Sequence, residues 1–197
     1  MTKEVRSLPV TLEVRATGES GKRTIAGHID YNSPSDVLID SWGDRFIEEL
    51  APGCFDDSLA NRDVVGLWSH DISQVLGSTR SKTLRVTSNQ DRLSFELDLP
   101  DTRAGNDAWE VIRRGDVTGL SIGMIVKDDK WSDADQDGQT VYKRSIISAD
   151  LYEVSPVAFP AYPAAEVNCR SLAEYKVNTA TGLRRQILAL ELELLDL

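Results

Sequence analysis

Residues 117–126 constrain the fold most strongly, because their side chains alternate between two kinds with a period of two. Leu120, Ile122 and Met124 fall on one face, while Gly119, Ser121 and Gly123 fall on the other. This alternation is typical of a β-strand with one buried face. The segment therefore predicts a strand with one core-facing side and one side nearly bare of side chains.

Further strand patterns occur along most of the chain. Period-two alternation, with Gly, Asn, Asp and Ser between the segments, predicts two hairpins and three more extended segments. Three prolines indicate that regular pairing ends from residue 155 onward. The hairpins are 9–16 with 23–30 and 83–88 with 92–99, and the other extended segments are 63–70, 117–126 and 141–154.

Helical patterns are few. A short helix is expected at 55–59, and a longer helix at 104–114 with Thr102 as its N-cap. Apolar residues recur at helical spacing in 181–197, which indicates an amphipathic C-terminal helix. The chain is thus expected to be mainly β with flanking helices, an α+β fold.

Charge and cysteine content limit the function classes. A formal net charge of -10 over 197 residues disfavours binding to nucleic acid. Cys54 and Cys169 lie in no zinc or redox motif, and no apolar run approaches the roughly 20 residues of a membrane helix. We therefore expect no cofactor, no nucleic-acid partner and no membrane partner.

Ser121 is the candidate nucleophile. A catalytic serine needs a hydroxyl that substrate can reach, a base, and a third group that orients the base. Gly119 and Gly123 leave room for a peptide backbone beside Ser121. The alternative is that Ser121 is a small residue in a crowded barrel interior.

Candidates for the other two roles are limited. The chain has two histidines, of which His28 lies inside a predicted strand and His70 at the end of another. Glu153 is a charged residue within an apolar, aromatic strand, which favours a buried partner. Asp150 is the rival acid, and Asp71 lies too close to His70 in sequence to be an obvious orienting group.

Residues 133–138 match the first half of an EF-hand calcium loop, D-x-[DN]-x-[DN]-G. Arg144 stands where the bidentate glutamate should be, and the flanking segments are predicted strands. We therefore interpret 133–138 as a polar hairpin loop and predict no metal site.

Several motifs occur in the order found in a known family. Residues 113–124 contain G-L-S-I-G-M around Ser121, with Met124 where phenylalanine is commoner. On these motifs the chain resembles the prohead serine protease family of tailed bacteriophages, which is related to the herpesvirus protease assemblin. The matching segments are 25–32, 46–55, 67–71 with 75–79, 113–124 and 151–161.

The resemblance implies a fold and a site. It implies an assemblin-like antiparallel β-barrel over residues 1–165, followed by a tail at 166–197. It makes Ser121 the nucleophile, His70 the base and Glu153 the third member, with Asp150 as the alternative. The assemblin enzymes use a second histidine in the third role, and no histidine follows Ser121 here. Oxyanion-hole donors are expected in a loop at 155–159.

The resemblance also implies a function. It is that of a serine endopeptidase that cleaves scaffold protein, the scaffolding segment of the major capsid protein, and itself during procapsid maturation. By the same resemblance, the protease acts inside the assembling procapsid in the host cell cytoplasm. The related herpesvirus proteases also make a homodimer worth testing. The alternative is a non-catalytic assembly or scaffold protein that keeps the protease fold and binds a partner through 181–197.

Overall fold

The structure is a computed structural model, which describes residues 3–8, 12–17, 22–40, 43–136, 139–158, 172, 174–180 and 183–184. The chain divides into two compact units, 1–166 and 167–197. In the second unit, 174–180 and 183–184 are helical. The rest of the predicted amphipathic helix lies outside the described residues.

The first unit is mainly β with two helices among its described residues. In chain order the elements are β1 (Glu4–Leu8), β2 (Glu13–Thr17), β3 (Lys22–Asp30), β4 (Leu38–Ile39), β5 (Arg45–Leu50), α1 (Asp56–Asn61), β6 (Val65–Trp68), β7 (Asp71–Ser78), β8 (Leu84–Ser88), β9 (Arg92–Asp98), α2 (Arg103–Arg113), β10 (Gly119–Gln136) and β11 (Gln139–Val157). Burial alternates along β9, as its sequence pattern predicts, whereas β10 is buried on both faces from 119 to 124.

The strands form two sheets. One sheet has the order β1-β10-β11-β5-β4, with β6 pairing with β11 and β7 pairing with β6; the other has the order β2-β3-β9-β8. Strands β5 and β6 run parallel to two different stretches of the long strand β11. The described strands close no barrel, and the two parallel pairings depart from the expected antiparallel arrangement.

The apolar face of β10 lies in the core. Leu120, Ile122 and Met124 are almost completely buried and belong to a cluster that includes Phe95 and Leu97 of β9. Burial of large aliphatic side chains is the main favourable term in folding, at roughly 1.5–3 kcal/mol each. The packing fixes the register of β10, so its other face is directed away from this core.

Most predicted elements are confirmed. The hairpins are β2–β3 and β8–β9, although 9–11 lie outside the described residues. Helix α2 begins after Thr102, whose hydroxyl accepts a hydrogen bond from the Gly105 amide at 3.2 Å. Helix α1 is the predicted short helix. Among the described helices, none combines the length and apolar character needed to cross a bilayer.

Two predicted breaks were placed wrongly. A loop was expected at 133–138, but β10 extends to Gln136 and β11 begins at Gln139. Pro156 lies within β11 opposite Leu120 rather than ending it. A proline is accommodated in a strand where its missing N–H is not needed for pairing.

Candidate active site

Ser121 lies in β10 between two strands. Its cross-strand partners are Ser7 of β1 and Ser155 of β11. The residue is fully buried, and its Oγ donates a hydrogen bond to the Arg6 carbonyl oxygen at 3.0 Å. The expectation of a hydroxyl open to substrate is therefore wrong for this structure, because β1 lies beside the Ser121 strand.

His70 lies in a tight turn rather than in a strand. Strand β6 ends at Trp68, which pairs with Asp71 at the start of β7, so Ser69 and His70 form a two-residue hairpin turn. Both turn residues have positive φ, 49° and 64°, as type I′ hairpin turns require. The Ser69 amide donates to the Pro156 carbonyl at 3.2 Å, which holds the turn against β11.

Glu153 is the buried carboxylate that binds His70. Its Oε1 lies 3.2 Å from His70 Nδ1 and accepts a hydrogen bond from Lys3 Nζ at 2.5 Å. The Ser155 hydroxyl donates to Oε2 at 3.2 Å. Only 2% of the Glu153 side chain is exposed, so these donors replace the water that an ionised carboxylate would otherwise need.

The environment of Glu153 favours its ionised form. Burial raises the pKa of this carboxyl, but the hydrogen bonds from His70 and Lys3, together with their positive charges, outweigh burial and lower the pKa to about 2. An ionised carboxylate can only accept hydrogen bonds, so His70 Nδ1 must carry a proton. In neutral imidazole this leaves Nε2 unprotonated, which is the form that a general base needs.

Gly123 connects the serine to the carboxylate. It lies two residues beyond Ser121 on the same face of β10, directly opposite Glu153. Diagonal neighbours on adjacent strands are about 7–8 Å apart, a separation that an imidazole ring with a hydrogen bond on each side can bridge. Among the described residues, however, the Ser121 hydroxyl bonds to Arg6 and makes no hydrogen bond with His70.

Asp150, the rival acid, is occupied elsewhere. Its carboxylate lies 3.1 Å from the Arg62 guanidinium and 2.6 Å from Lys127 Nζ. His28 lies on β3, with Nε2 3.7 Å from its neighbour Asp30. The structure thus gives His70 a contact with Glu153 and none with Asp150.

Asp71 and Cys54 are two other side chains that were considered from the sequence. Asp71 accepts hydrogen bonds from Ser73 and Gln74, which lower its pKa. Burial, with the nearby charge of Asp56, raises the pKa of Cys54 to about 12. A thiol with such a pKa is not a nucleophile at neutral pH. Among the described residues no cluster of His, Cys, Asp and Glu could hold a metal ion.

Lys3 and Arg6 were not identified from the sequence as parts of this site, and Ser155 was expected only within an oxyanion loop, not as a hydrogen-bond donor to Glu153. Ser155 lies two residues from Glu153 on the same strand face, so the period of β11 could have indicated it. Lys3 and Arg6 carried no such signal, because β1 was not predicted. The expected oxyanion loop is strand from 155 to 157, and residue 159 lies outside the described residues.

Serine peptidases use a histidine hydrogen-bonded to a carboxylate, and the His70–Glu153 contact is such a pair, with Glu153 on the strand that pairs with the Ser121 strand. The family of caudovirus prohead serine proteases matches residues 10–178 of the chain. The chain belongs to this family, whose role is that of a serine peptidase in capsid maturation. Comparisons with curated proteins and with solved structures found no match.

A methyl group at Gly123 is expected to displace the carboxylate. A Cβ there would lie 2.5 Å from Glu153 Oε1 and 2.6 Å from Lys3 Cε. For Gly123→Ala we expect peptidase activity to fall about 100-fold, since misplacing a catalytic group by about 1 Å can have that effect. Activity should be measured alongside thermal unfolding. Unchanged activity in the folded variant would contradict the role given to Gly123.

Acid is expected to remove stability that comes from Glu153. Its folded pKa of about 2 lies below the ordinary value of 4.5, so its contribution is present above pH 4.5 and is lost as pH falls toward 2. The contribution is on the order of 3 kcal/mol. Urea unfolding of wild type and Glu153→Gln at pH 7 and pH 3 should show their difference shrinking at pH 3; a constant difference would contradict the assignment.

Proposed function

We propose that the chain is a serine endopeptidase with Ser121 as nucleophile, His70 as general base and Glu153 as the third member of a catalytic triad. The observation that carries this proposal is the hydrogen bond between His70 Nδ1 and Glu153 Oε1 beside the Ser121 strand. Membership of a serine peptidase family supports the assignment. Asp150, held by Arg62 and Lys127, is the weaker candidate for the third role.

The mechanism follows from these roles. The Ser121 hydroxyl attacks the scissile carbonyl carbon while His70 Nε2 takes the hydroxyl proton. Glu153 stabilises the resulting imidazolium through Nδ1. The amine of the following residue leaves with that proton, and water then hydrolyses the acyl-enzyme. For these steps to occur, the Ser121 hydroxyl must approach His70. Its hydrogen bond to the Arg6 carbonyl oxygen must therefore break.

The proposed substrates are proteins of the procapsid. They are scaffold protein, the scaffolding segment of the major capsid protein, and the protease itself, cleaved inside the assembling procapsid in the host cell cytoplasm. Enclosure in a shell raises the effective concentration of enzyme and substrate. A homodimer is part of the proposal and is tested by sedimentation of the purified protein.

One observation favours a second function. Ser121 is fully buried and hydrogen-bonded away from His70, as it would be in a non-catalytic assembly or scaffold protein that keeps the protease fold. The two functions differ in the reactivity of one hydroxyl.

A fluorophosphonate probe distinguishes them. It should be applied to procapsids assembled with this chain, and the modified residue should be mapped by mass spectrometry. The proposal predicts a single adduct on Ser121 of this chain. An adduct on a different serine would move the nucleophile, and no adduct would favour the assembly protein.

A further inference from the structure

Strand β1 is the edge strand beside the candidate nucleophile. It pairs antiparallel with β10 from Glu4 opposite Met124 to Leu8 opposite Leu120. Extended peptides commonly bind proteins by adding a strand to such a sheet edge. If β1 left, β10 would become the edge, and its free backbone groups would lie alongside Ser121.

Both ends of the candidate triad are engaged by β1 and the residue before it. The Arg6 carbonyl oxygen accepts the hydroxyl hydrogen of Ser121, and Lys3 Nζ binds the same Glu153 oxygen as His70. A substrate carbonyl would have to lie near Ser121 in the same way. The chain thus places its own backbone where a substrate backbone is needed.

The Arg6 side chain identifies a binding position for a cation. On the opposite face of β1, its Nε donates to Glu48 Oε1 at 2.6 Å, and its terminal nitrogen lies 3.2 Å from Oε2. Arg6 and Glu48 are both at least nine-tenths buried. Such a two-point contact between guanidinium and carboxylate is specific in geometry as well as charge.

Other charged groups around Glu48 remain when β1 is removed. Arg144 donates to Glu48 Oε2 at 2.9 Å and to Asp129 at 2.7 Å. Glu4 also bonds Arg144, but it belongs to β1 and would leave with Arg6. Glu48 would then lose the two hydrogen bonds that it accepts from Arg6, and a carboxylate in a buried place that loses its cationic partner is costly unless another cation takes that position.

We propose that β1 occupies the place of the substrate's extended strand, and that Glu48 selects substrates with arginine or lysine at the position of Arg6, immediately before the scissile bond. This inference rests on the proposed peptidase function. Ser121 Oγ forms an ester with the carbonyl carbon of that basic residue, and the C–N bond to the next residue breaks. The amine leaves with the proton that His70 took from Ser121, and water hydrolyses the ester. While β1 stays in place, it competes with the substrate.

The test uses the full chain and three peptides that differ only before the scissile bond, where they carry arginine, lysine or uncharged norleucine. Lys3→Ala should raise kcat/KM for the arginine peptide about tenfold, since it loosens β1. Glu48→Gln should reduce the preference for arginine over norleucine at least about tenfold. Glu49→Gln is the matched control, because Glu49 is the next residue and its carboxylate pairs with Lys143. This variant should leave the preference for arginine unchanged.

A second measurement does not depend on the folding of a Glu48 variant. A synthetic peptide with the sequence of residues 3–8 should inhibit Lys3→Ala, and its version with norleucine at the Arg6 position should inhibit about tenfold less. Fluorophosphonate labelling of Ser121 reports the peptidase function separately. Labelling without any preference for a basic residue overturns this inference alone, whereas no labelling in any variant overturns the peptidase function and this inference together.

Discussion

Replacing His70 by asparagine is expected to reduce peptide cleavage by about 10⁴- to 10⁶-fold, the range seen when a triad loses its base. Asparagine is the suitable replacement because residue 70 has φ of 64°, and asparagine tolerates this backbone region better than most residues. The turn between β6 and β7 should therefore persist while the imidazole is lost. The measurement is the rate of processing of a reporter peptide under single-turnover conditions.

The control for His70→Asn is His28→Gln. His28 is half-buried on β3 and contacts Asp30 rather than any member of the candidate site. It should leave the rate within about twofold of wild type, as surface substitutions away from the site usually do. Comparable losses in both variants would show that the effect of His70→Asn comes from the fold and not from catalysis.

Replacing Glu153 by glutamine is expected to reduce the rate about 10⁴-fold with little change in KM. The amide can present a donor to His70 Nδ1, which favours the tautomer that has its proton on Nε2 and removes the base. The imidazolium formed during the reaction also loses its negative partner. The measurement is kcat and KM from pH 5 to pH 9, where the variant should stay slow at every pH.

Asp150→Asn is the matched control, because Asp150 is the other buried acid of β11 considered for this role. Its carboxylate pairs with Arg62 and Lys127, so the substitution should lower stability without a comparable loss of kcat. A greater loss of kcat in Asp150→Asn than in Glu153→Gln would exchange the two assignments.

The elements that sequence reasoning predicted well are those that bury apolar side chains at regular spacing. Alternation located β10 because Leu120, Ile122 and Met124 all lie in the core. The same alternation placed Ser121 and Gly123 on the other face of the strand, which is the face where Glu153 lies. Local periodicity carries this information, so no knowledge of distant segments was required.

Strand β1 was missed because its buried residues are charged. Glu4 and Arg6 face inward and are neutralised by Glu48 and Arg144, which lie far away in the sequence. Patterns of apolar residues cannot reveal such a strand. The burial of Ser121 and the contact of Lys3 with Glu153 depend on β1, so they could not be predicted either.

The turn at His70 was missed for a different reason. Two-residue hairpin turns are usually recognised by Asn-Gly or Asp-Gly, whereas here Ser69 and His70 adopt positive φ. Non-glycine residues in this backbone region are uncommon and concentrate at functional sites. Alternation in 63–70 predicted that the histidine lies at a strand end, but its contact with Glu153 depends on the parallel pairing of β6 with β11.

The open sheets also depended on long-range pairing. Strands β5 and β6 both use β11 as a partner and run parallel to it. Neither direction nor partner is encoded in the alternation of a single strand, and the barrel expectation came from the family resemblance.

Co-expression with the phage major capsid protein tests the central claim most directly. Wild type and Ser121→Ala should each be produced with that protein, and the intact masses of both polypeptides followed over time. Our account predicts defined truncation of the capsid protein with wild type and none with Ser121→Ala. Equal truncation with both forms, or none with either, would contradict it.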